Sequence, residues 1–166
     1  MNKVNSMHSE IARLLEESIQ TKKAITRSNI SEIGNMVRLI TAAYREGGKV
    51  VLFGNGGSAA DAQHIAGELV GRFMLKREAF PAIALTTNTS TLTAVANDYG
   101  YEAVFARQVE ALVNEKDVVI GISTSGNSPN VIEAVEMAKM RGAKTIGLTG
   151  GEGGKLAEVA DLVLIV

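Results

Sequence analysis

The feature that most constrains this chain is a succession of short apolar segments, Val50–Phe53, Ala82–Thr86, Val118–Ile122, Thr145–Leu148 and Leu162–Val166, separated by longer mixed stretches. None of them alternates apolar with polar residues. Each is therefore expected to be buried on both faces, the condition of a strand in a parallel sheet covered by crossover helices. The intervening stretches Ala59–Phe73, Leu92–Asn97, Val104–Val113, Asn130–Arg141 and Lys155–Val159 read as those helices. The pattern predicts an α/β fold, a doubly wound, flavodoxin-like sheet of five parallel strands, in which ligands sit beyond the carboxyl ends of the strands.

Two amphipathic helices precede the first strand. Met7, Ile11, Leu14, Leu15 and Ile19 recur at helical spacing, and Ile30, Ile33, Val37, Ile40 and Tyr44 repeat the pattern up to a Gly47-Gly48 stop. The first helix either packs on the core or serves an interface with another subunit. A single domain over residues 1–166 is expected, with helices over 1–47 and an α/β core over 48–166. Leu162–Val166 would be a buried strand with no covering helix after it, so the chain reads as cut short.

Charge and composition narrow the partners. The net charge of -1 argues against a nucleic-acid or polybasic membrane surface, which leaves small molecules or further copies of the chain. There is no cysteine, so disulfides and thiolate metal sites are excluded, in keeping with a reducing cytoplasm. His8, Glu10, Arg13, Glu16 and Glu17 interrupt any leader-like pattern, and no apolar run is long enough to span a membrane.

The loops after the strands carry the chemistry. The first strand runs into Gly54-Asn55-Gly56-Gly57-Ser58, where glycines let a ligand approach the backbone and a following helix offers unpaired N–H groups. Gly54, Gly56 and Ala59 fit a dinucleotide fingerprint, but Thr87, Asn88, Thr89 and Ser90 stand where the ribose-binding acid belongs. A tight turn without a ligand would have the same residues. On the next helix, Asp61, His64, Glu68 and Arg72 are spaced to share one face, as a solvated helix also allows; His64 and Glu68 could hold one metal ion, or Glu68 could act as a base. The third strand ends in Ser123-Thr124-Ser125-Gly126-Asn127-Ser128-Pro129, hydroxyls and a glycine at a helix start, suited either to an oxyanion or to ordinary capping. Asn97 and Asp98 end a short helix and could cap it or reach a sugar hydroxyl. Thr149–Lys155 is not a P-loop, since Thr149 replaces the first glycine and Leu156 follows Lys155.

Gly54–Phe73 (GNGGSAADAQHIAGELVGRF), Ala96–Gly100 and Gly121–Ser128 (GISTSGNS), in this order, resemble the SIS (sugar isomerase) domain family, and the similarity runs from the first helix to Val166. The resemblance implies an aldose–ketose isomerase that carries sedoheptulose 7-phosphate through an enediol to D-glycero-D-manno-heptose 7-phosphate, for lipopolysaccharide core or another surface polysaccharide. It implies a cytoplasmic homotetramer with sites between subunits. By the same resemblance Asn55, Gly56 and Gly57 contact the sugar, Ser123, Thr124, Ser125 and Ser128 hold the phosphate, Asn97 and Asp98 complete the pocket, and Ser58, Glu68 and Arg72 also bind substrate. Glu68 matches the catalytic base, and His64 with Glu68 matches half of a zinc site, one zinc per subunit, whose other ligands, a Gln and a His, would lie beyond Val166. Two relatives of other function stay in view. A non-catalytic tetrameric adaptor that binds the replication initiator has an altered glycine loop and catalytic Glu, whereas Gly57, Ser58 and Glu68 here keep the isomerase pattern. A sugar-phosphate-sensing regulatory domain would keep Ser123–Ser128 and lose Glu68.

Overall fold

A computed structural model of the protein describes residues 2–25 and 27–166. The helices are α1 (Asn2–Lys23), α2 (Arg27–Arg45), α3 (Gly57–Val70), α4 (Thr89–Tyr99), α5 (Ala106–Leu112), α6 (Pro129–Met140) and α7 (Gly154–Val159). The strands are β1 (Val50–Gly54), β2 (Ala82–Ala84), β3 (Val118–Ser123), β4 (Lys144–Thr149) and β5 (Leu162–Ile165), and one turn of 3-10 helix, Tyr101–Ala103, joins α4 to α5. All strand pairs are parallel, in the order β2-β1-β3-β4-β5. This is the doubly wound sheet expected from the apolar runs.

Burial on both faces explains why those runs lack alternation. Val50 and Leu52 of β1, with Val118, Ile120 and Ile122 of β3, pack with Met36 and Ala43 of α2 and Ala62 and Ala66 of α3. Val51, Phe53 and Val119 point the other way, into Val104, Phe105, Val109, Val131, Val135 and Leu156. The chain thus leaves β1 toward one face of the sheet and leaves β3 toward the other. The adjacent carboxyl ends of β1 and β3, where Gly54 pairs with Ile122, are the topological switch point.

The first helix does not pack on the core of its own chain. Met7, Ile11, Leu14, Leu15 and Ile19 are all exposed, Leu15 at 62 %, so α1 buries none of its apolar stripe in its own core. The core-packing alternative is overturned for this helix.

The return from α3 to β2 is held by stacked side chains. Tyr44 stacks on Phe80, with ring centroids 4.7 Å apart, and the Arg77 guanidinium lies over the other ring at 4.2 Å from its centroid. Among the described residues the Tyr44 hydroxyl is buried without a hydrogen-bond partner. Burial pushes this phenol up to about 12, against the opposing pull of the Arg77 charge. The unfolded chain releases that proton near pH ~10 while the folded chain retains it, so stability is expected to fall as pH rises above ~10. Tyr44→Phe should flatten that decline without loss at neutral pH, because no hydrogen bond is removed. Denaturant midpoints measured across the alkaline range check this; parallel losses in both chains would contradict it.

Candidate functional site

The switch point brings together the loops singled out in the sequence. Gly54 ends β1 because nothing larger fits: a Cβ there would meet the Ile122 carbonyl oxygen and the Ser58 Cβ, each at 2.7 Å. Gly56 then turns with φ +55° and α3 begins at Gly57, so Gly56, Gly57 and Ser58 lie at the amino end of a helix. Opposite them, β3 ends at Ser123 and α6 starts at Pro129, a residue preset for a first helical turn. Helix amino ends carry unpaired N–H groups and partial positive charge, which is the chemistry an oxyanion requires.

The serine loop is braced by hydrogen bonds of its own. Ser123, buried, and Ser128 share a hydrogen bond through their hydroxyls at 3.0 Å, while Thr124 and Ser125 stay exposed. The Asn127 backbone N–H donates to the Ser125 Oγ at 3.2 Å, and the Asn127 Nδ2 donates to the Ser125 carbonyl at 2.9 Å. Behind this loop stands the glycine-rich segment after β4. The Leu156 N–H donates to the Gly126 carbonyl at 2.8 Å, the Lys155 N–H to the Asn127 Oδ1 at 3.0 Å, and the Gly150 N–H to the Thr124 carbonyl at 3.0 Å. The segment that fails as a P-loop is therefore a buttress for the serine loop. A cleft of about 320 Å³ runs between these parts, lined by Ser58, Asp61, Ile122, Thr124, Thr149 and Gly150 among others.

A side-chain bridge that sequence reading missed ties the two loops together. The Asn55 Nδ2 donates to the Asn130 Oδ1 at 2.8 Å and the Asn130 Nδ2 donates back to the Asn55 Oδ1 at 2.9 Å, with the Tyr101 hydroxyl donating to the same Asn55 oxygen at 3.0 Å. Asn130 is 3 % exposed. The Asn55 carboxamide is thus occupied mainly by protein partners, and what it leaves for a ligand is backbone and one N–H. The Tyr101 contact also draws the end of α4 to this corner. There Asn97 and Asp98 are exposed and joined by a hydrogen bond from the Asn97 Nδ2 to the Asp98 Oδ1 at 2.8 Å.

Helix α3 carries His64 and Glu68 one turn apart, with His64 Nε2 and Glu68 Oε1 separated by 4.0 Å. The expected four-residue face is shorter than its spacing implied. α3 ends at Val70, where the Gly71 N–H closes on the Gly67 carbonyl at 2.8 Å, so Arg72 lies beyond the helix on an exposed segment. Asp61 lines the cleft, but at about 1.5 Å rise per residue Glu68 lies roughly 15 Å along α3 from Ser58. Within one chain the carboxylate stands outside the cleft that the loops form. His64 and Glu68 fit as two ligands of one ion, and among the described residues no group of three or more His, Asp or Glu gathers around a metal-sized site.

Comparison with known proteins was consistent. The SIS domain family model matches residues 13–150. A phosphoheptose isomerase of Syntrophotalea carbinolica is 57 % identical over 142 residues, covering 86 % of this chain and 72 % of the relative. One from Aquifex aeolicus is 52 % identical over 160 residues, covering 96 % of this chain and 84 % of the relative. Among solved structures, the phosphoheptose isomerase from Neisseria gonorrhoeae superposes with a TM-score of 0.90 at 43 % identity, covering 96 % of this chain and 85 % of that one. The one from Francisella tularensis superposes with a TM-score of 0.86 at 38 % identity, covering 100 % and 86 %.

Proposed function

The chain belongs to the SIS domain family, in its phosphoheptose isomerase branch, and from its site we propose how it interconverts sedoheptulose 7-phosphate and D-glycero-D-manno-heptose 7-phosphate. It is a sugar-phosphate isomerase, and the non-catalytic adaptor alternative finds no support among its relatives. The observation that carries the proposal is the pairing of a cationless, hydroxyl-rich oxyanion loop at the switch point with a helix that begins there and bears Glu68.

In this reading the phosphate sits on Thr124, Ser125 and the amino end of α6, with Ser123 and Ser128 holding the loop's shape. Gly56, Gly57 and Ser58 at the start of α3 take sugar hydroxyls, as does the exposed Asn97–Asp98 corner; Arg72 contributes from the segment after α3. The Glu68 carboxylate removes a proton from C1 of the ketose. The electrons of that C–H bond form the C1–C2 double bond of an enediol, and the proton returns to C2, while a hydroxyl proton passes from O1 to the former carbonyl oxygen. Zinc held by His64 and Glu68, with further ligands from outside these residues, would polarise the carbonyl when bound.

The separation of Glu68 from the cleft along α3, and the uncovered stripe of α1, support an oligomer in which one chain's Glu68 serves another chain's phosphate loop. We take that oligomer to be the homotetramer implied by the family. Among the described residues no helix is long and apolar enough to cross a membrane, and a phosphorylated, membrane-impermeant substrate favours the cytoplasm, where it would supply heptose for surface polysaccharide. The test is direct: the purified protein should convert sedoheptulose 7-phosphate to an aldose phosphate, with the rate falling after chelation and returning with zinc. Failure to turn over any ketose phosphate, with zinc supplied, would defeat the proposal.

A further inference from the structure

The end of α3 is fastened by Arg77, which takes no part in the chemistry proposed above. A helix leaves its last carbonyls without intrahelical partners. In α3 the Gly67 carbonyl is taken by the Gly71 N–H, and the next two are taken by Arg77. Its Nη2 donates to the Glu68 carbonyl at 2.8 Å and its Nη1 to the Leu69 carbonyl at 2.9 Å. The same Nη1 donates to the Glu78 carbonyl at 2.8 Å, and the Phe80 N–H adds a bond to the Leu69 carbonyl at 3.1 Å. The cation meets the negative end of the helix dipole, so the electrostatics favour the contact.

The guanidinium is itself held in one plane. It lies over Phe80, which is stacked on Tyr44 of α2, and Arg77 is half-buried in a segment, residues 71–80, whose other members are exposed. A planar fork braced on an aromatic ring fixes direction as well as distance, which a lysine ammonium cannot do. The residue so fixed by its own carbonyl is Glu68, the last acidic side chain of the helix, 4.0 Å from His64.

We propose that Arg77 is a positioning residue for Glu68, holding the final turn of α3 so that the carboxylate meets the substrate in the orientation proton transfer needs. The proposal rests on the reading of Glu68 as the base. Misplacing a reacting group by about 1 Å costs on the order of 100-fold in rate, so Arg77→Ala should lower kcat by about that factor. Arg77→Lys, which keeps the charge and loses the fork, should fall between. KM and the affinity for inorganic phosphate should stay within about twofold of the parent, since the loops at the switch point are untouched.

The experiment measures kcat, KM, phosphate affinity and thermal midpoint for Arg77→Ala, Arg77→Lys and Glu68→Gln, with guanidinium or ethylguanidinium at millimolar concentration added to Arg77→Ala. Recovery of kcat on adding the small cation, at unchanged KM, supports a positioning role. Unchanged kcat in Arg77→Ala beside an inactive Glu68→Gln overturns the proposal and leaves the base assignment standing. A kcat loss that merely follows lost thermal stability in both variants, with no rescue, also overturns it. An active Glu68→Gln removes the base assignment and the proposal together.

Discussion

Replacing Glu68 with Gln is expected to abolish isomerase turnover and to leave the binding of inorganic phosphate unchanged. Glutamine keeps the volume and the position on α3 but cannot accept the substrate's C–H proton, and a positioned general base contributes roughly 100- to 10,000-fold. Phosphate binding should survive because Ser123, Ser128 and their bridging hydrogen bond belong to β3 and the start of α6, whereas Glu68 sits in the last turns of α3. Measured by single-turnover isomerisation and phosphate titration of the same preparation, equal loss of both properties would make Glu68 a structural residue, and full activity would remove it from the mechanism.

The sheet was legible because strands buried on both faces leave continuous apolar runs, and the site was legible because it lies in the loops directly after two of those strands. What escaped was non-local. Asn55 and Asn130 are 75 residues apart, and their reciprocal amide pair exists only because β1 and β3 are neighbours at the switch point. No local pattern marks it, although an Asn just after a helix-initiating proline invited the question of where its amide went. The overestimate of α3 has a similar origin. His64, Glu68 and Arg72 continue a helical spacing, so periodicity carried the helix onward to Phe73; Gly71 was the stop signal, and the Arg77 fork that completes the helix end comes from the far side of the return loop. Glycine-rich Thr149–Lys155 looked like a failed nucleotide motif in isolation. Its purpose appears only against its neighbour, since Gly154 is the residue that lets the serine loop pack closely on it: a Cβ there would stand 2.6 Å from the Ser125 carbonyl oxygen.

Gly126→Ala is expected to disable the phosphate site while leaving Glu68 intact. Gly126 has φ +66°, and a Cβ there would stand 1.9 Å from the Gly153 carbonyl oxygen and 2.9 Å from the Thr149 Oγ1. The obstacles include backbone, so the loop must move, and its bond from the Leu156 N–H to the Gly126 carbonyl goes with it. If two hydrogen bonds to the phosphate are lost at about 1.5 kcal/mol each, affinity falls about 100-fold. That loss should be read by phosphate titration, with circular dichroism to establish that the sheet persists; unchanged affinity would remove the serine loop from the binding site. The two variants together decide a larger point. Glu68→Gln keeps a working phosphate loop, and Gly126→Ala keeps a working carboxylate. If the roughly 15 Å along α3 between Ser58 and Glu68 is spanned by assembly, oligomers formed from both chains by co-expression contain sites with one intact half from each, and turnover returns. If a single chain furnishes the whole site, every site in the mixture lacks either its base or its anchor, and turnover stays at the sum of the two separate variants.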